Sequence, residues 1–131
     1  MEEKIKIQII TPEKIIFSNN SEMVTLPSYE GDMSILKLHI PIITFLRPGI
    51  IKVKKDDGNF EEFFVQNGIV EYYNDSLVVL STSAINVKDL SKEFMDNLNK
   101  DIKVKLTDKN ITDHDRYVLN HELDVLKEIR A

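Results

Sequence analysis

The hydrophobic pattern of this chain changes period once, near Asn86. That change confines it to a strand-rich half followed by a helical one. In the first half, Ile5, Ile7 and Ile9 alternate with Lys4, Lys6 and Gln8, the signature of a strand with one buried and one wet face. Thr11-Pro12 reads as a turn, Ile15 to Phe17 as a short strand and Asn19-Asn20-Ser21 as another turn. Val24 and Leu26 then share a face opposite Thr25. Ile50 to Lys54 and Phe63 to Gln66 flank Asp56-Asp57-Gly58-Asn59, and Ile69 to Tyr73 and Leu77 to Leu80 flank Asn74-Asp75; both read as hairpins. Many short strands with closely spaced turns imply a β-sandwich or barrel.

Beyond Asn86, Leu90, Phe94, Leu98, Ile102 and Leu106 recur every fourth residue, with Met95 widening the stripe. Thr107 to Asn110 breaks this helix. Thr112 with Asp115 resembles a capping box, and Asp113 and Asp115 suit a positive helix start. Val118, Leu119, His121 or Glu122, Val125, Leu126 and Ile129 form a second stripe. Two helices of similar length across a short turn predict an antiparallel hairpin. The expected fold class is α+β, mostly β. A β-sandwich over residues 1–85 precedes a two-helix hairpin over 86–131, with a short linker near Ser83 to Lys88.

Chemistry is sparse. The chain has 131 residues, a net charge of −5 and no cysteine. Thiolate catalysis, thiolate metal sites and disulfides are therefore excluded. The acidic balance argues against nucleic acid, since Lys52, Lys54 and Lys55 are followed at once by Asp56 and Asp57. No apolar run is long enough to span a bilayer, so direct membrane insertion is not expected. Met-Glu-Glu-Lys leads straight into a strand, which predicts no signal or transit peptide. His114 and His121 lie seven apart on one helix face, the wrong spacing for a helical zinc pair, and no metal site is expected. His39 with Asp32 and Glu30 could be drawn as an acid/base set, but neither a nucleophile elbow nor a phosphate loop accompanies them. No catalytic residue and no cofactor is assigned.

The stretch from Thr11 to Gly49 is more specific. It reads T-P-E-K-I-I-F, then V-T-L-P-S-Y-E-G-D-M-S-I-L-K-L-H-I-P-I-I-T-F-L-R-P-G. An acidic turn around a glycine, a histidine two residues before a proline and a Pro-Gly corner follow in that order. The spacing resembles the ε subunit of F-type ATP synthases, called δ in mitochondria, and the likeness runs from Ile5 to about Ile129. Ser34 stands where that family usually has glycine, and Lys37-Leu38 replaces a Pro/Ala/Gly pair before His39.

The resemblance implies a non-catalytic rotor part that holds the γ subunit on the membrane c-ring. It would be peripheral to the cytoplasmic face of a bacterial inner membrane. It places Glu30, Gly31, Asp32 and His39 at the c-ring contact. It also implies that the helical hairpin can open toward the catalytic β subunits and brake ATP hydrolysis. Some members bind ATP on the folded hairpin through I/L-D-x-x-R-A. The corresponding residues here are Leu90, Ser91, Phe94 and Met95, and only the leucine survives, so ATP binding is not expected. The competing reading is a free-standing β-sandwich binding module with a helical interaction tail.

Overall fold

The computed structural model describes residues 3–130. Ten strands come first: β1 (Ile5–Ile10), β2 (Ile15–Ser21), β3 (Met23–Ser28), β4 (Gly31–Leu36), β5 (Ile42–Leu46), β6 (Gly49–Lys54), β7 (Phe60–Val65), β8 (Gly68–Tyr73), β9 (Ser76–Leu80) and β10 (Ile85–Asn86). A 3-10 turn (Val87–Asp89) leads to α1 (Lys92–Leu106) and α2 (Asp113–Arg130).

The strands pair in the order β10-β7-β6-β3-β5-β8-β9-β1-β2, with β4 on β3. The ladder narrows to one pair, Ser28 with Leu46, between β3 and β5. There it folds over, and the two halves face each other as a sandwich. Ile7, Leu26, Ile35, Ile51, Phe63 and Tyr72 lie fully buried between them. Close-packed aliphatic and aromatic side chains of this kind make a stiff body, because they leave little free volume to deform into.

The Asp57-Gly58 and Asn74-Asp75 hairpins form as expected. Asn74 and Asp75 both take positive φ, 50° and 62°, the backbone that a two-residue turn needs to match strand twist. Asn19-Asn20-Ser21 is not a turn. It continues β2 against β1 through Asn19↔Ile7, Asn20↔Lys6 and Ser21↔Ile5, and the chain bends at Glu22 into β3. The asparagines sit exposed on an edge strand, where polar side chains cost nothing. Ser21 is buried because its hydroxyl donates to the Lys54 carbonyl at 2.6 Å.

The short segment between sandwich and hairpin includes a strand. Ile85 and Asn86 pair with Phe64 and Phe63 of β7. The first helix starts later than its apolar stripe, at Lys92, because Ser91 caps it: its Oγ accepts from the Phe94 amide at 3.0 Å. Phe94 lies off the stripe and is 43% exposed. Residues four apart precess by about 40° per step on a helix, so Phe94 is about 80° from Ile102, while Met95 is within about 20° of it. Thr112 caps α2 as expected, its Oγ1 accepting from the Asp115 amide at 3.0 Å.

The hairpin lies against the outer face of β6 and β7. Ile102, Val125 and Leu126 close over Phe64 and Ile50, with Leu98, Leu106 and Leu119 around them. This explains why neighbours Phe63 and Phe64 are both buried: one faces the sandwich core and the other faces the helices.

Candidate functional site

The acidic turn is a two-residue reversal, Tyr29-Glu30, joining β3 to β4. Gly31 opens β4 with φ of 121°, a region closed to side chains by steric clash. Ser28 braces the turn, its hydroxyl donating to the Gly31 carbonyl at 2.7 Å and accepting from the Glu30 amide at 3.3 Å. Glu30 and Asp32 are exposed. Asp32 lies 3.8 Å from Arg47, whose guanidinium also donates to the Tyr117 hydroxyl of α2 at 3.2 Å. Tyr29 stacks on His114 at 5.8 Å. The acidic turn therefore occupies the end of the sandwich that the second helix touches.

His39 is not part of that cluster. It follows the far end of β4, and five strand steps separate Gly31 from Leu36, about 17 Å. Its ring packs edge-on against Tyr72 at 5.8 Å, and its Nδ1 lies 2.6 Å from the Ile40 carbonyl. Asp75 organises this second end: Oδ1 accepts from the Tyr72 hydroxyl at 3.0 Å and from the Leu38 amide at 3.3 Å. Burial, then the Asp75 carboxylate, pushes the Tyr72 phenol above its ordinary value. Leu38 is held at a positive φ of 69° and is 78% exposed. The separation removes the geometry for joint acid/base work by His39 and Asp32.

Sequence reading missed an apolar sheet face. Phe45, Ile69, Leu80 and Ile10 line up as one cross-strand rung over β5, β8, β9 and β1. The next rung is Ile43, Glu71, Val78 and Gln8. Phe45 and Ile43 are 63% and 67% exposed. A groove of about 760 Å³ runs along the first rung and reaches Tyr29. The signal was present in Ile42-Ile43-Thr44-Phe45-Leu46, which is apolar on both faces of one strand, a pattern that makes sense only where both faces are covered.

Leu90 and Met95 pack into the hairpin's contact with the sandwich, Ser91 is the helix cap, and Phe94 edges a crevice beside Asp89. His121 stacks on Tyr117 at 6.3 Å. Among the described residues, no group of three metal donors gathers, and no helix is long and apolar enough to cross a membrane. On α2, Glu122 rather than His121 points inward and is 5% exposed, accepting from the Gln66 amide at 2.7 Å.

Residues 4–87 match the β-sandwich domain of the ATP synthase delta/epsilon chain. The ATP synthase epsilon chain of Pelagibacter ubique is 40% identical, over 98% of this chain and 99% of that one. That of Parvibaculum lavamentivorans is 34% identical, over 99% and 98%. In solved structures, the fold is similar to a chain of the Euglena gracilis mitochondrial ATP synthase OSCP/F1/c-ring assembly. The TM-score is 0.74 at 15% identity, covering 98% of this chain and 80% of that one. A chain of the Tetrahymena thermophila mitochondrial central stalk and c-ring gives 0.58 at 15% identity, covering 98% and 96%. With a relative this similar along its whole length, and with its strand half matching the family's sandwich domain, the chain belongs to the ATP synthase delta/epsilon chain family.

Proposed function

We propose that this chain is a non-catalytic rotor subunit of a proton-translocating ATP synthase, seated between the γ subunit and the c-ring at the cytoplasmic face of a bacterial inner membrane. The observation that carries the reading is the apolar face of β5, β8 and β9. A contiguous exposed patch of Ile43, Phe45 and Leu80 would favour aggregation in a free-standing module and suits a permanently bound partner. We assign that face to γ. The acidic turn of Glu30, Gly31 and Asp32 is hydrophilic and suits the polar loops of the c-ring. His39, at the opposite end, belongs with the γ side.

Torque transfer asks that both contacts sit on one rigid body. The sandwich core joins them, so load on the turn reaches the apolar face without local unfolding. The role needs no chemistry from this chain, in keeping with the separation of His39 from Asp32.

The test is assembly with the remaining synthase subunits, pulling on a tagged copy of this chain. Phe45→Glu is expected to lose γ by at least tenfold in recovery, because it buries a charge without a partner. Asp32→Lys is expected to keep γ and lose c-ring, lowering coupled proton pumping in reconstituted vesicles. Full recovery of γ with Phe45→Glu would overturn the assignment of the apolar face. Unchanged pumping with Asp32→Lys would overturn that of the turn.

A further inference from the structure

We propose that Glu122 is a pH-sensitive latch on the hairpin: neutral, it holds α2 against the sandwich; ionised, it favours release. Glu122 sits in the seam between α2 and the sandwich and is 5% exposed, beside Val125 and Leu126, which close over Phe64. A carboxylate there has lost its water, and one neutral amide, Gln66, returns a single hydrogen bond. A buried charge so weakly compensated opposes the closure that buries it.

The surrounding groups do not cancel that charge. From α1, Lys105 acts on Glu122, but it is solvent-exposed and screened. From the end of the sandwich, Arg47 is engaged with Asp32 and Tyr117. On the covered sheet face, the rung after Ile50↔Phe64 is Lys52↔Glu62, a pair that is itself balanced. On α2, His121 is stacked on Tyr117. Burial accordingly raises the Glu122 carboxyl above its ordinary 4.5, against the smaller opposing pulls of Gln66 and Lys105.

The sign follows from linkage. The docked state binds the proton more tightly than the released state, whose carboxyl is in water. Docking is therefore strongest below the ordinary value and weakens as pH rises from there through the raised one. The apolar seam around Ile102, Val125 and Leu126 holds the hairpin equally at every pH, and the polar contacts outside it, Tyr29 on His114 and Arg47 on Tyr117, add little to it. Acidification would thus keep the hairpin down, and alkalinisation would free it.

The proposal rests on the hairpin being releasable, and it is tested on the isolated full chain, so failure to assemble a synthase does not bear on the result. The absence of cysteine permits clean spin labelling at Asn20→Cys on β2 and Lys127→Cys on α2, both exposed. At about pH 5 a single short interlabel distance is expected, with a longer one growing several-fold by about pH 8. Glu122→Gln keeps the bond to Gln66 without the charge and is expected to stay docked across the range. Gln66→Leu strands the carboxylate and is expected to release more at the upper pH and remain docked at the lower. A wild-type distribution that does not move with pH would overturn the latch, as would a Glu122→Gln chain that still opens like wild type.

Discussion

Gly31 and Gly49 show how differently one residue type can be required. Gly31 has open space where a Cβ would sit, but its φ of 121° excludes side chains. Gly49 is the reverse: an added Cβ would lie 2.5 Å from the Pro27 Cβ, closer than two carbons can approach. The Pro-Gly corner is thus a packing contact between β6 and β3, with the backbone of one strand against the proline ring of the other. Gly49→Ala is expected to cost about 1–3 kcal/mol, as overpacking of a fixed contact does. Gly31→Ala is expected to cost a similar amount through strain. Urea unfolding would measure both; if Gly49→Ala shifts the midpoint negligibly, β3 and β6 are not held in that contact. Both glycines were visible in the sequence, but only the structure tells which is conformational and which is steric. Glu122 shows the same limit. Its place in the α2 stripe left it level with His121, since the two differ by about 100° around the helix and either could face inward. The deciding fact is Gln66, which is 56 residues away and waits at the end of β7 to receive it.

At the scale of elements, the strands and turns that pair locally were the legible ones. The two hairpins with Asp-Gly and Asn-Asp tips carry their own geometry in their turn residues. The reading of Asn19-Asn20-Ser21 as a turn failed because an edge strand has no need for apolar residues on its outer face. The late start of α1 was hidden because Leu90 packs into the same cluster as the helix without belonging to it. The seam itself leaves a strong expectation. Ile102 is 1% exposed and central to the helix cluster, so Ile102→Ala is expected to destabilise hairpin docking by about 2–4 kcal/mol. The sandwich has a separate core around Leu26 and Phe63, and it is expected to keep its stability. Hydrogen exchange reads the two apart: amides of α1 and α2 should lose protection while those of β1 and β9 retain theirs. Equal loss in both would mean that sandwich and hairpin unfold as one unit. The same reasoning sets where a shortened chain should end. A cut at Ser83 removes β10, which pairs with Phe63 and Phe64, so a chain ending after Asp89 is the form expected to fold without its hairpin.

For the molecule as a whole, the open matter is what a released hairpin would do in the assembled synthase, and charge decides the expectation. The resemblance to ε subunits implies that a hairpin extended toward the catalytic β subunits would face an acidic segment there. From Thr107 to Ala131, Lys109, Arg116, Lys127 and Arg130 stand against Asp108, Asp113, Asp115, Glu122, Asp124 and Glu128, four against six, a net of −2. In the docked state the carboxylates of Asp113, Asp115, Asp124 and Glu128 are exposed around α2 and Glu122 is covered. Release therefore adds one more negative charge to the surface that must approach an acidic partner. Like charges at an interface cost more than exposed opposite pairs return, so insertion is opposed and the docked state is favoured. A helix turned so that Arg116 and Lys127 lead would lessen the repulsion, but Asp113 and Asp124 lie three residues from them and share their side of the helix. Weak braking of ATP hydrolysis is the expected outcome. The measurement is the ATPase rate of the assembled catalytic head carrying either the full chain or one cut after Asp89. Near-equal rates are expected, and a several-fold rise on removing the hairpin would show that its shape and apolar face outweigh its charge.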